Sequence, residues 1–393
     1  MIRVAFTLIG GPGWTGGRNY LSNLLRVLAT HQAGLIQPVL FVDRMLQPDD
    51  LSTFAAIPGI ELVQSEALDA ARERRALLAA LICGRDAQLR REFSAQRIDV
   101  VFEAARYFGW RLGIPAIAWM PDFQHRAMPG MFTRASRLKR EVGFRAQILS
   151  GRLIMVSSAD ARAACERYYP GTAGRVYTVR FAVPPATGFD AASARRVADQ
   201  YGLPEQFIFM PNQFWRHKNH LLVLEALASL RDRGTTVAVV ATGSQVDPRN
   251  PGHLQVIQSM VHDRALTDVF RNLGLVPQPH VAALMYCCAA LLNPSRYEGW
   301  STTVEEARSL GTPLLLSDIP VHREQVGANA IYFDPADPES LARSLAQFVP
   351  LTAEARSAAR VLAQAAAMQR MQTFADEFLQ VVRRCQATPS NVH

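Results

Sequence analysis

Cysteine is scarce in this 393-residue chain and badly spaced for cross-linking or zinc. The five are Cys83, Cys165, Cys287, Cys288 and Cys385. Their number is odd, two are adjacent and no Cys-x-x-Cys occurs, which argues against a disulfide framework or a zinc site and fits a reducing compartment. Long apolar runs are also missing, since no stretch reaches the roughly 18 uninterrupted apolar residues of a membrane span. The start, Met1-Ile2-Arg3-Val4-Ala5-Phe6, runs directly into a strand-like pattern, so no secretory leader is expected. There is no Asp-x-Asp, and the doublet Asp49-Asp50 falls in an expected loop unrelated to any motif. No recognition motif with interleaved aromatics appears, so nucleic acid is not expected as a partner. A cytoplasmic location follows as the expectation.

What is present is ordinary globular material with a basic bias. The length favours two domains. Apolar residues make up 49% and charged residues 19%, with net charge +8. A basic surface attracts phosphorylated substrates or anionic lipid. The segment from Arg134 to Arg152 holds six basic residues and one acid, Glu141, together with Leu138, Val142, Phe144, Ile148 and Leu149. It reads as a basic amphipathic helix. Two roles stay open for it: a helix lying on the inner face of a membrane, or a solvated face over a core stripe.

Short apolar runs alternate with helical patterns. Strands are expected at 3–9, 38–42, 99–102, 116–119, 153–157 and 176–179. A second series falls at 207–210, 236–241, 269–273, 289–292, 313–316 and 330–333. Repeated strand–helix–strand units imply parallel sheets covered on both faces. Adjacent prolines Pro184-Pro185 separate the two series. The expected division is a Rossmann-like domain at 1–182, a linker at 183–200, a second Rossmann-like domain at 201–351, and a helical tail at 352–393 that finishes the second domain or crosses back to the first.

After the first strand, Gly11, Gly13 and Gly16 satisfy G-x-G-x-x-G ahead of a helix, with Gly17 beside them. Glycines there let a phosphate approach the backbone at a helix N-terminus. An acid for a ribose should follow about 20 residues on, and Asp43 comes too late. A nicotinamide or flavin enzyme is therefore disfavoured. A ligand-free turn and a loop facing a phosphate or sugar both remain open.

Residues 293–306 read Asn-Pro-Ser-Arg-Tyr-Glu-Gly-Trp-Ser-Thr-Thr-Val-Glu-Glu. A buried strand ends, a turn carries Glu298-Gly299, and a helix begins near Ser301 or Thr302 and stops at Gly311. One reading is a capping box in which an acid serves the helix start. The other uses the free N–H groups at Ser301, Thr302 and Thr303 for a diphosphate, with Glu298 and Glu306 accepting hydrogen bonds from the diols of a sugar and a ribose. Glu298-Gly-Trp-x5-Glu306-Ala, followed by Leu310-Gly-Thr-Pro-x3-Ser-Asp-Ile-Pro320, resembles the E-x7-E block of the GT-B glycosyltransferases, the group 1 or GT4-like retaining family. That resemblance implies an α/β GT-B fold with two Rossmann-like domains facing a cleft. It also implies that Glu298 contacts the donor sugar and Glu306 the ribose.

The resemblance extends to other turns. Lys218-Asn219 matches the family's basic element, whose Arg falls on Gln213 here, so Arg216 is the candidate substitute. Ala241-Thr242-Gly243-Ser244 resembles the small-residue turn under the nucleotide. Leu273-Gly274 is placed to offer backbone to the base. In the first half, Pro121-Asp122 occupies the family's His-Asp turn, with His125 three residues on, and both are candidates for sugar or acceptor hydroxyls. Val156-Ser157-Ser158-Ala159-Asp160 reads as a helix cap. Glu103 and Arg106 are candidates for the acceptor side. The catalytic candidates are thus Glu298, Lys218, Arg216, Asp122 and His125. The donor-binding candidates are Gly16, Gly17, Gly243, Gly299, Trp300, Ser301, Thr302, Thr303 and Glu306. The implied reaction moves a hexosyl-type sugar, with retention and without metal or cofactor, from a UDP- or GDP-linked donor to a saccharide or lipid-linked acceptor in surface-glycan synthesis. The alternatives are a sugar-nucleotide epimerase, a phosphorylase, or a non-catalytic module of the same fold.

Overall fold

The computed structural model describes residues 1–9, 15–69, 72–104, 106–247 and 249–387. Gly11 and Gly13 of the glycine-rich turn lie outside these. The described chain divides into two compact units. The first comprises residues 1–127, 134–182 and 370–393; the second comprises 128–133 and 183–369.

The first unit holds β1 (Ile2–Thr7), β2 (Ile36–Asp43), β3 (Glu61–Ser65), β4 (Val100–Ala104), β5 (Ala116–Trp119), β6 (Leu153–Val156) and β7 (Val176–Thr178). All pair in parallel in the order β3-β2-β1-β4-β5-β6-β7. The second unit holds β8 (Ile208–Met210), β9 (Val239–Ala241), β10 (Phe270–Asn272), β11 (Ala290–Asn293), β12 (Leu314–Ser317) and β13 (Ile331–Phe333), parallel in the order β10-β9-β8-β11-β12-β13. Each expected apolar run forms a strand, because strands buried on both faces read as continuous apolar sequence. β3 was not expected. It lies at the sheet edge, Leu62 is exposed, and its Glu61 is clasped by Arg3 of β1 at 2.9 and 2.6 Å. Half-exposed edge strands lack the apolar run that marks central ones.

Helices cover the sheets. In the first unit, Phe6, Phe102 and Phe378 pack with ring centroids 5.5–6.0 Å apart, and Tyr20 stacks on Trp119 at 4.2 Å. Phe378 belongs to the long helix Ala353–Ala387. That helix is shared: up to Gln369 it belongs to the second unit, where Arg356 and Arg360 donate to the carbonyls of Cys288 and Tyr286 at 2.7 and 2.8 Å, and from Arg370 it belongs to the first. Residues 191–200, where the sequence suggests a short helix ahead of the second domain, form one whose Ala194 and Ala198 are wholly buried. Asp190 caps it in a reciprocal capping box with Ser193. The doublet Asp49-Asp50 lies in the helix Pro48–Ala55 and not in a loop, because Pro48 suits a first helical turn.

Candidate functional site

In the second sheet the strand order reverses between β8 and β11, which pair directly. Open α/β sheets bind ligands beyond the carboxyl ends of strands at such a switch point. The turns leaving β8 and β11 carry Lys218 and Glu298, and the structure brings these together. Lys218 Nζ donates to Glu298 Oε1 at 2.6 Å, with the side chains 15% and 10% exposed.

The β8 turn is built to present Lys218. Phe214 is fully buried and stacks on His220 at 4.3 Å. Its N–H donates to Ser244 O at 2.9 Å. Arg216–Lys218 form one 3-10 turn, closed by Asn219 in the left-handed region at φ 61, and the Asn219 amide donates to Pro335 O at 2.9 Å. The next helix, His220–Asp232, starts directly after it. Arg216 is exposed beside this turn. Gly243 supports the turn from β9. A Cβ there would lie 2.7 Å from Asn212 O and 2.8 Å from Gln213 N. Gly243 N–H and Thr242 Oγ1 both donate to Gly274 O, at 2.9 and 2.5 Å.

The β11 turn is clamped by buried polar groups. Asn293 Oδ1 accepts from Ser295 Oγ at 2.7 Å, and Asn293 Nδ2 donates to Ser301 Oγ at 2.8 Å, closing the two ends of the turn around Glu298. Ser317 Oγ donates to Ser295 O at 2.6 Å. Gln325 Nε2 donates to both Ser301 O and Glu305 Oε1 at 2.9 Å. Arg296 N–H donates to His217 O at 2.9 Å, joining the two turns. Gly299 and Trp300 are half-buried.

The helix Thr302–Leu310 buries Val304, Ala307 and Leu310 and ends at left-handed Gly311, φ 68. Its N-cap is Ser301, yet no side chain caps it. The capping box fails because the Ser301 hydroxyl is taken up with Asn293. The first-turn N–H groups and the half-buried Thr302 and Thr303 thus stand at the uncapped positive end of the helix dipole. Glu305 is buried and bound to Arg308 and Gln325. Glu306, next to it, is half-buried, and desolvation pushes its carboxyl up to about 7.

The first unit treats its candidates differently. Gly16 is exposed and Gly17 buried in the first turn of the helix Thr15–His31. Asp122 is held by Arg140 at 3.0 and 3.2 Å and accepts from Gln124 N at 2.9 Å. Burial opposes its charge, but the Arg140 guanidinium and that N–H outweigh it and hold the carboxyl below its usual range. His125 is 1% exposed, and its Nε2 lies 3.5 Å from Glu141 Oε2 and from Tyr169 Oη. Burial, then Arg140, lowers its pKa. Both residues are thereby tied to the basic helix Arg134–Leu149. Glu103, expected on the acceptor side, is instead wholly buried and paired with Arg152 at 3.1 and 3.2 Å. Ser158 caps its helix as expected, accepting from Ala161 N at 2.9 Å.

Residues 196–365 match the family described as "Glycosyl transferases group 1". This stretch is a group 1 glycosyl transferase domain. Among curated proteins, the chain is similar to a 2-deoxystreptamine glucosyltransferase of Streptomyces kanamyceticus, 28% identical over 214 residues, 49% of this chain and 51% of that protein. It is also similar to the O-antigen chain mannosyltransferase RfbU of Salmonella typhimurium, 36% identical over 84 residues, 21% of this chain and 24% of that protein. The chain thus spans about half or less of these relatives. Among solved structures, a glycosyltransferase from Rickettsia africae matches with TM-score 0.71 at 13% identity, covering 99% of both chains. Anabaena HepE in complex with UDP and glucose matches with TM-score 0.70 at 15% identity, covering 98% of this chain and 100% of that one. These likenesses establish the GT-B fold. Lys218 and Glu298 both lie inside the glycosyl transferase domain, as do the clamp residues Asn293, Ser317 and Gln325, whose role no local spacing in the sequence announces.

Proposed function

We propose that the protein transfers a hexosyl group from a nucleotide sugar, UDP- or GDP-linked, to a saccharide or lipid-linked acceptor in surface-glycan synthesis. The observation that carries this reading is the meeting of Lys218 and Glu298 at the switch point of a group 1 domain. Departure of the nucleoside diphosphate builds negative charge on phosphate. Lys218, Arg216 and the uncapped start of the helix Thr302–Leu310 stabilise that charge in place, which is electrostatic catalysis without a metal. Glu298 accepts hydrogen bonds from the sugar and Glu306 from the ribose. Gly243 and Gly299 are the donor-side glycines, Gly243 by letting the turn that leads to Lys218 close against its own backbone. Asp122 and His125, with Gly16 and Gly17, are the candidates for the sugar or acceptor hydroxyls. Transfer proceeds with retention, the leaving phosphate accepting the acceptor's proton, so no separate general base is needed. The relatives that act as glucosyl- and mannosyltransferases, and the UDP and glucose held by HepE, support a hexose donor.

An anionic membrane surface is part of the proposal. On the helix Arg134–Leu149, Leu138, Val142 and Leu149 are 64%, 43% and 85% exposed, with Arg134, Arg137, Lys139 and Arg145 exposed around them. Among the described residues, no helix is long and apolar enough to cross a membrane. The test of the central reading is a panel of UDP- and GDP-hexoses, with released nucleotide and product mass measured. Transfer from one donor, lost in Glu298→Gln and Lys218→Ala, is the expected result. Undiminished transfer in both variants overturns it.

A further inference from the structure

We propose that the Lys218–Glu298 ion pair makes the site discriminate between an intact nucleotide sugar and the nucleoside diphosphate left after transfer, with Glu298 as the specificity-determining residue. This rests on the donor reading above and deepens it. The pair is short, 2.6 Å, and mostly removed from water. Removing one partner of a desolvated pair leaves the other charge poorly compensated.

Neither side chain is carried on a turn that is free to retreat. The Glu298 turn is closed by Asn293 through Ser295 and Ser301 and anchored by Gln325. The Lys218 turn is anchored by Asn219 on Pro335. The Arg296 N–H to His217 carbonyl bond holds the two turns in register. The neighbouring imidazole offers Glu298 no replacement proton. His322 is wholly buried, with Nδ1 3.0 Å from Ser317 O. A carbonyl only accepts, so Nδ1 carries the proton and Nε2 is a lone pair. Burial, the largest influence, keeps this ring neutral, Glu298 and Lys218 acting on it in opposite directions.

A nucleoside diphosphate offers phosphate oxygens, which are acceptors. It draws Lys218 away and strands Glu298. A nucleotide sugar offers the same oxygens to Lys218 and, in addition, hydroxyl donors to Glu298. The intact donor therefore replaces both halves of the pair, and the spent diphosphate replaces one. Once the sugar has left, re-formation of the pair weakens the hold on the diphosphate and favours its release.

The experiment is calorimetric titration of the full chain with UDP, GDP, UDP-glucose and GDP-mannose, for the wild type, Glu298→Gln and Glu298→Ser. For the nucleotide that binds, the wild type is expected to prefer the sugar form by about tenfold. Both variants are expected to bind the diphosphate about tenfold more tightly than wild type and to lose the preference for the sugar form. Unchanged or weaker diphosphate binding in both variants overturns the inference and leaves the donor reading standing. A folded wild-type protein that binds none of the four ligands overturns both. A thermal-unfolding double-mutant cycle on Lys218→Met and Glu298→Gln reads the pair without any ligand; additive effects there overturn the inference as well.

Discussion

The backbone N–H of Arg296 donates to the carbonyl of His217 at 2.9 Å, tying the turn that carries Glu298 to the turn that carries Lys218. The contact is made by backbone alone, so the Arg296 side chain, which is exposed, is dispensable to it. Arg296→Ala is expected to keep donor affinity and thermal stability near wild type. Arg296→Pro removes the N–H and should lower stability by about 1–3 kcal/mol. It should also weaken binding of the nucleotide sugar, because the two turns lose their common register. Unfolding midpoints and calorimetry on the two variants check this, and equal behaviour would show the bond to be idle.

Gly243 makes the second argument about register. Any side chain at this position drives a Cβ into the carbonyl of Asn212 at 2.7 Å, and both contacting groups are backbone. The neighbour cannot swing aside as a flexible side chain would. Gly243→Ala is expected to cost about 1–3 kcal/mol of stability from overpacking and to displace the turn that leads to Lys218. Gly34 is a useful control, since a Cβ there meets nothing within 4 Å, although its φ of 85 carries backbone strain. A Gly243→Ala protein with wild-type donor affinity would remove Gly243 from the site.

The architecture was legible because both sheets are parallel and buried, so runs such as Leu314–Ser317 announce themselves as strands. β3 was hidden because Glu61, Leu62 and Gln64 sit on a half-exposed edge. Within the candidate site, spacing brought Glu298 and Glu306 to attention, and their helix start was visible from Ser301 and Gly311. Of the two readings of that helix start, the capping box does not form, for a physical reason: Ser301 is the N-cap, but its hydroxyl is held by Asn293, eight residues back. The clamp itself was invisible, since Asn293, Ser317, His322 and Gln325 come from three elements and obey no local spacing rule. Glu103 was similarly opaque. An acid at the end of a strand reads as a site residue, and only the fold reveals Arg152 against it.

His220 lies wholly buried under the basic turn, and burial, with His253 and Lys218 adding repulsion, pushes its imidazole down to about 3. In the unfolded chain the ring titrates near its ordinary value of about 6.5. The folded pKa is therefore depressed. Stability is fully present above about 6.5 and falls as pH drops from there toward 3, because the unfolded state takes up a proton that the folded state refuses. Urea midpoints should decline over this window in the wild type. The decline should be shallower in His220→Phe, which keeps the stack on Phe214. Identical slopes in the two proteins would exclude His220 as a source of acid sensitivity.

Glu306 has the opposite sign. Desolvation raises its carboxyl to about 7 in the folded protein, against about 4.3 in the unfolded chain. Between these values the folded state holds a proton that the unfolded state has lost, so this group's contribution to stability falls as pH rises through the window. Glu306→Gln should accordingly raise the unfolding temperature at pH 8 and change it little at pH 4. Donor binding should move the other way. A carboxylate accepts from both hydroxyls of a ribose, whereas the protonated acid gives up part of that capacity. Wild-type affinity for the nucleotide sugar is thus expected to strengthen between pH 6 and pH 8, and Glu306→Gln to show a flat, weaker profile. Calorimetry and thermal melts on the same two proteins separate the outcomes. A variant more stable at pH 8 with undiminished affinity would leave Glu306 a buried acid unconnected with the nucleotide. A variant that loses both the stability cost and the affinity would show that the chain retains an unfavourable carboxylate there for the ribose.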